Sequence, residues 1–136
     1  MVLESIAASK STRQTTWIFT DQQSSSANGT SAAQDYAAAA QSRGSEFVSV
    51  ILNCDMEENV RRLTSGKRGG GYSNTKLTDE SILRHIRGTE DIYHFGGKLE
   101  VEVDVTAKSP DTVATEIVDF IGELDHGLLL RSSNKY

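Results

Sequence analysis

One acidic residue stands directly after a short apolar segment, in a position suited to metal binding. The segment TTWIFT, residues 15–20, is rich in β-branched and aromatic residues and predicts a buried strand, and Asp21 follows it. A carboxylate at the carboxyl end of a strand can hold Mg²⁺, directly or through water. Asp21 is therefore a candidate magnesium ligand. The alternative is an acid that merely begins a loop.

Basic residues surround a glycine-rich stretch in the middle of the chain. The sequence GKRGGGYSN begins the segment 66–77, which does not suit regular structure and is predicted to form a lid-like loop. A loop that carries arginines can close over phosphates and neutralise the charge that develops in phosphoryl transfer. The alternative is the solvated face of a helix followed by an ordinary loop. The basic residues of this region are Arg61, Arg62, Lys67, Arg68 and Lys76.

The chain has a single cysteine and three histidines. Cys54 lies where a predicted strand meets a predicted helix, a position that can activate a thiol, although a buried structural role is the alternative. The histidines, His85, His94 and His126, are scattered along the sequence. None of these residues has the spacing of a Cys/His metal site, so none is assigned as a metal ligand.

The sequence lacks a recognisable phosphate-binding loop. Such a loop reads GxxxxGK[ST] between a strand and a helix. Lys10-Ser11 lacks both preceding glycines, and Gly66-Lys67 is followed by Arg68 rather than by serine or threonine. The dinucleotide-binding pattern GxGxxG does not occur either. No phosphate cradle is therefore predicted.

Strand and helix patterns alternate along the chain. Besides 15–20, the continuous apolar run 47–54 predicts a strand covered on both faces, and the strict alternation of 99–106 predicts an edge strand with one solvated face. This order predicts one α/β domain over 1–136, a mostly parallel three-layer sandwich. Helices are predicted near 2–12, over 31–43 with a stop at Gly44, after Asp55, after Thr78 and from Ser109-Pro110, with a loose tail over 125–136.

The bulk composition argues against several classes of partner and location. The 136 residues carry a net charge of −5, so nucleic acid and anionic membranes are not expected partners. One cysteine excludes an intrachain disulfide. The N-terminal sequence lacks the pattern of a secretory signal, and no apolar run approaches the roughly 18 residues of a membrane span. A cytoplasmic protein is expected.

Four segments between residues 15 and 122 together resemble one enzyme family. They are TWIFTD, FVSVILNCDMEENVRRL, TKLTD and LEVEVDVTAKSPDTVATEIVDFI. In this order they look like the P-loop small-molecule kinases of AAA type, relatives of the adenylate, shikimate and chloramphenicol phosphotransferase enzymes. The resemblance implies a P-loop kinase-like fold, with Mg-ATP as cofactor and a nucleotide or small anion as ligand.

The resemblance also implies roles for individual residues. Asp21 matches the Walker B acid, and Arg62 matches the arginine that packs near the adenine. The basic lid residues match those that contact phosphates, and the loop 106–109 matches one that touches the base. The residues implied in cofactor binding are Asp21, Arg62, Lys67, Arg68, Lys76, Thr106 and Ser109, with Asp21 also the implied Mg²⁺ ligand.

The chain departs from this family at its N-terminal side. The segment that supplies the P-loop in such kinases also supplies a central strand, between those corresponding to 15–20 and 47–54. Without it, each of these two strands would expose an unpaired edge, and such edges pair readily with another chain. We therefore expect either direct pairing of the two strands or a homodimer in which two chains complete each other's sheets.

Three functional hypotheses follow from these observations. The first is a degenerate, truncated kinase-like domain that binds nucleotide or phosphate weakly and has no phosphotransfer of its own, because the charge-stabilising cradle is missing. The second is a non-enzymatic, homodimeric interaction module. The third is a fragment of an ATP-dependent small-molecule kinase.

Overall fold

The computed structural model describes residues 2–65 and 77–133, with only the backbone described over 125–133. The chain forms two compact units, residues 1–48 with 85–95 and residues 49–84 with 96–136. The described residues combine five helices with one two-stranded parallel sheet, which is compatible with the predicted α/β class. The single domain predicted over 1–136 stays a prediction. No helix among the described residues is long and apolar enough to cross a membrane.

The first unit is built on two helices, α1 (Val2–Ala8) and α2 (Ala27–Arg43). Helix α2 begins at Ser26, whose side chain accepts a hydrogen bond from the backbone N–H of Gly29, and ends at Gly44. Gly44 has a φ of 70°, the left-handed conformation that glycine adopts at little cost. The predicted stop is therefore confirmed. The guanidinium of Arg43 donates a 2.7 Å hydrogen bond to the carbonyl of Ile6 and so joins the two helices.

Residues 15–20 form no strand, which corrects the prediction of a buried strand there. The rings of Trp17 and Phe19 lie 6.4 Å apart and nearly parallel, and Phe19 also packs against Tyr36 of α2 at 5.3 Å. Trp17 is 43% exposed, Phe19 44% and Ile18 86%. A strand needs a neighbouring strand to receive its backbone hydrogen bonds, whatever its side-chain propensity. No described strand lies beside this segment.

The second unit contains the sheet, formed by β1 (Ser49–Asn53) and β2 (Glu100–Asp104). The strands are parallel, with Ser49 opposite Glu100 and Asn53 opposite Asp104. Parallel strands require a long crossover connection, and here it includes α3 (Met56–Thr64) and α4 (Glu80–Thr89), the latter shared between the two units. The predicted strands at 47–54 and 99–106 are thus confirmed with shorter bounds.

The two strands differ in how well their side chains are covered. Val103 of β2 is 5% exposed while Glu102 and Asp104 beside it are exposed, so the predicted alternation is confirmed over 102–104, whereas Glu100 and Val101 are both half-buried. In β1, Ile51 is 5% exposed but Leu52 is 51% exposed. The prediction that both faces of β1 are covered is therefore wrong for the described residues. The continuous apolar run reports the hydrophobicity of the strand, but covering each face requires further elements to pack on it.

The largest apolar cluster joins α3 to α4. Val60 and Leu63 of α3 pack with Leu83 of α4, and Leu63 is 2% exposed. Asp55 caps α3 as predicted, since its carboxylate accepts hydrogen bonds from the backbone N–H groups of the first helical turn. Helix α4 is capped by Asp79, whose carboxylate accepts from the Ile82 N–H at 3.1 Å, and not by the predicted Thr78.

The last helix, α5 (Pro110–Ser133), begins where the sequence predicts. Pro110 is its first residue, and Ser109 caps it by accepting a 3.2 Å hydrogen bond from the Thr112 N–H. Val113 is 8% exposed, whereas Ile121, on the same helix, is 39% exposed. The helix continues to Ser133, where a loose tail was expected from 125. The apolar run at 128–130 is compatible with continued helix, because leucine has a high helix propensity.

Candidate functional site

The carboxyl ends of both strands meet at one edge of the sheet. Asn53 lies opposite Asp104, and the chain leaves β1 through Cys54 and Asp55 and leaves β2 towards Thr106. In α/β sheets this edge is where ligands bind, because the loops that follow the strands converge there. An open depression of ≈ 570 Å³ lies at this edge, lined by Asn53, Cys54, Asp55, Glu102, Asp104 and Thr106.

The depression is acidic. Asp55, Glu102 and Asp104 contribute carboxylates, and none of its lining residues is basic. The side-chain amide of Asn53 donates a hydrogen bond to Glu102, and the Thr106 hydroxyl and N–H both donate to Asp104, at 2.6 and 2.8 Å. These two bonds lower the pKa of Asp104 by favouring its charged form, the hydroxyl more strongly. A depression of this charge repels phosphate groups.

Thr106 joins the two loops that follow the strands. Its hydroxyl donates to Asp104 and at the same time accepts a 2.9 Å hydrogen bond from the backbone N–H of Asp55. The start of α3 is thereby tied to the loop after β2. The hydroxyl predicted to lie near a nucleotide base is thus engaged within the protein.

Arg62 extends from α3 to the same loop. Its guanidinium Nη2 donates to the carbonyls of Val105 and Thr106 at 2.7 and 2.9 Å, and its Nε donates to Glu58 at 2.7 Å. Two of the residues implied in base binding, Arg62 and Thr106, are therefore brought together. Since the guanidinium is paired with Glu58 and donates to two carbonyls, its role in these contacts is to hold the loop against α3.

Ser109 and Lys108 both contact the first turns of α5. The Ser109 hydroxyl caps the helix, and it lies 2.9 Å from the hydroxyl of Thr112. The Lys108 ammonium pairs with Glu116 at 2.7 Å. The loop 106–109 thus uses its polar groups to join β2 to α5.

Asp21 lies in the first unit, and the segment 15–20 that precedes it is not a strand. Its two carboxylate oxygens accept hydrogen bonds from the Gln22 N–H at 2.8 Å, the Gln23 side-chain amide and the Tyr36 hydroxyl at 2.9 Å. The Gln23 bond is the main cause of a lowered Asp21 pKa, and the bond to Asp21 raises the pKa of Tyr36. Among the side chains that the structure describes, over residues 2–65 and 77–124, no group of three or more His, Cys, Asp or Glu could hold a metal ion.

The remaining implied site residues, Lys67, Arg68 and Lys76, lie outside the described residues, as does most of the predicted lid. Sequence reasoning did not identify the acidic depression or the role of Glu58. The sequence did contain a signal for the acidic depression, because Asp55 and Asp104 each stand at the carboxyl end of a predicted strand. It contained no signal for the role of Glu58, since an i,i+4 glutamate–arginine pair is common on any helix.

Comparison with known proteins does not assign the chain to a family: no protein-family model, no curated protein and no solved structure matches it.

Glu58 is expected to make the stability of the protein depend on acid pH. Arg61 and Arg62 hold the pKa of Glu58 at about 2, below the ordinary 4.5, because their hydrogen bonds favour the charged carboxylate. A lowered pKa in the folded state means that the stabilisation is fully present above pH 4.5 and is lost as the pH falls towards 2. Urea unfolding measured across this range is expected to show the loss.

The Glu58→Gln variant is expected to have a flatter stability profile over the same pH range. Glu46→Gln, at an exposed glutamate outside this cluster, is the control and should follow the wild type. An unchanged acid profile in Glu58→Gln would contradict the assignment.

Proposed function

We propose that this chain is a non-enzymatic interaction module that acts as a homodimer through the open edge of its sheet. The observation that carries the proposal is the state of β1. Among the described residues β1 pairs only with β2, so the other edge of β1 has no strand beside it. Leu52, whose side chain lies on one face of β1, is 51% exposed. The sheet thus has an unpaired edge and an exposed apolar side chain on the same strand.

The physical argument rests on how parallel sheets are stabilised. Parallel strands occur almost always in sheets covered on both faces, and a two-stranded sheet alone is marginal in water. A second polypeptide that adds a strand would satisfy the open backbone groups and place its own side chains next to Leu52 on the same face of the sheet. Strand addition of this kind is a general mode of protein recognition.

A degenerate kinase-like domain that binds nucleotide without phosphotransfer is the second candidate, and one observation favours it. Arg62 and Thr106 meet at the carboxyl edge of parallel strands, where α/β proteins bind ligands. A three-layer P-loop sandwich would then arise only in the completed assembly. The acidic lining of the depression argues against direct phosphate contact there, and we therefore rank this candidate second.

Sedimentation equilibrium of the purified protein tests the first proposal. We expect a dimer mass, because completing two sheets buries apolar surface on both chains. A monomer at all concentrations would overturn the proposal.

Calorimetric titration with ATP, with and without Mg²⁺, tests the second candidate on the same sample, with Arg62→Glu as the variant and Arg61→Glu as the matched control. Saturable binding that only Arg62→Glu abolishes would support the second candidate, and absence of binding would remove it.

A further inference from the structure

The open edge of β1 presents backbone hydrogen-bonding groups to one side. The Ser49 N–H donates to the Leu99 carbonyl at 2.9 Å, and the Asn53 carbonyl accepts from the Val105 N–H at 2.7 Å, both across the pair with β2. Successive residues of a strand point their N–H and C=O groups to alternate sides. The groups of Val50 and Leu52 are therefore directed away from β2, towards the open edge.

The two outer edges of this sheet differ in charge. β1 has the sequence SVILN and no charged side chain, whereas β2 has the sequence EVEVD with three acids. Charged side chains on an edge strand oppose pairing with another chain, and like charges that meet across such a pair are destabilising. In a chain of net charge −5, β1 is therefore the edge that can accept a strand.

The same chain contains a segment of strand-forming residues that pairs with no strand among the described residues. TTWIFT, residues 15–20, has β-branched and aromatic residues, no charge, no glycine and no proline. Ile18 at its centre is 86% exposed. None of the backbone hydrogen bonds of the described residues involves residues 16–20.

One side of this segment is already packed as it would be in an α/β layer. Trp17 and Phe19 stack on each other, and Phe19 packs on Tyr36 of α2. Side chains two apart lie on one side of an extended chain, which leaves Ile18 on the other side. If 15–20 joined a sheet, α2 would therefore come with it as a covering helix.

We infer that residues 15–20 of one copy add as a strand to the open edge of β1 in a second copy, and the reverse. This inference rests on the proposed homodimer and names its contact. Two reciprocal strand additions related by a two-fold axis form a closed dimer, in which the segment 15–20 of each copy is paired with β1 of the other. The exchange provides hydrogen-bond partners for the open edge of β1 and for the backbone of 15–20. It also places apolar residues of the two segments side by side.

The first test uses Leu52→Pro, with dimer dissociation measured by sedimentation. Proline at this position removes an N–H directed at the open edge and leaves the pair with β2 in place, as tolerated on edge strands. We expect dissociation to become easier by about 100-fold, because both symmetry-related contacts lose a hydrogen bond and the close approach of the added strand. Leu52→Lys, which places a charge at the same edge, is the second variant in case the proline disturbs folding.

The second test identifies the segment that pairs. In a Cys54→Ser background, protein carrying only Leu52→Cys is mixed with protein carrying one cysteine at a position from 16 to 20, and disulfides are formed by mild oxidation. A mixed disulfide with alternate positions of the segment, from side chains on one face, is expected, since paired strands bring such side chains within bonding distance.

The outcomes separate the inference from the proposed function. A wild-type dimer that gives mixed disulfides and dissociates in the Leu52 variants supports both. A dimer that persists in both Leu52→Pro and Leu52→Lys, or that yields disulfides only between two copies of the Leu52→Cys variant, overturns the strand exchange and leaves the homodimer. A wild-type monomer overturns both.

Discussion

Replacing Leu63 with alanine is expected to lower the free energy of unfolding by about 3 kcal/mol. Leu63 is 2% exposed and lies at the centre of the cluster that joins α3 to α4. The substitution removes buried apolar surface and leaves a cavity that its neighbours Val60 and Leu83 fill only in part. Few of the residues that the structure describes are buried, so the loss is a large share of the 5–15 kcal/mol typical of a whole domain.

Urea unfolding followed by circular dichroism measures this loss, at one fixed chain concentration because association changes apparent stability. Ile82→Ala is the matched control: it removes a residue of similar size from the neighbouring helix α4, but Ile82 is 47% exposed. We expect a cost of about 1 kcal/mol or less for the control. Equal losses in the two variants would mean that the α3–α4 cluster is not a core.

Arg62→Ala is expected to cost about 2 kcal/mol, because it removes a charged donor from two backbone carbonyls. The Arg62 side chain is 32% exposed, and it links α3 to the loop after β2, in addition to the Thr106–Asp55 hydrogen bond. Without it, the carbonyls of Val105 and Thr106 lose this donor, and the Glu58 carboxylate loses one of its two arginines.

Two further variants separate the geometry of this link from its charge. Arg61→Ala removes the neighbouring arginine, which pairs with the same Glu58 but is 69% exposed, and it should leave the stability close to that of the wild type. Arg62→Lys keeps the charge but cannot donate to both carbonyls and to Glu58 in the same way, so we expect most of the loss to remain. Wild-type stability in Arg62→Lys would contradict the positioning role, and hydrogen exchange at the loop after β2 would show whether its amides lose protection.

The two helix starts that the sequence predicts correctly depend on a few neighbouring residues. Asp55 caps α3 by accepting from N–H groups two and three residues further on, and Ser109 with Pro110 starts α5 in the same local way. Asp79 rather than Thr78 caps α4, an error of one position between two residues that are both good caps.

The predicted site was recovered only in part, for a different reason. Arg62 and Thr106 are far apart in sequence and meet because β1 and β2 pair in parallel, which the alternation of strand and helix patterns had suggested. The partners of Arg62 could not be predicted, since a guanidinium is satisfied equally by a carboxylate, a carbonyl or a phosphate. Which of these it meets depends on the path of the loop after β2.

The features that could be predicted from the sequence are therefore local: the starts of α3 and α5, the stop at Gly44 and the existence of β1 and β2. These features follow from hydrogen bonds and side-chain periodicity within a few residues. Three other features depend on long-range packing: 15–20 forms no strand, Leu52 is open to solvent, and three carboxylates line the strand ends. The physical reason is that strand formation and burial require partners distant in sequence, and a segment's own residues do not specify whether such a partner is present.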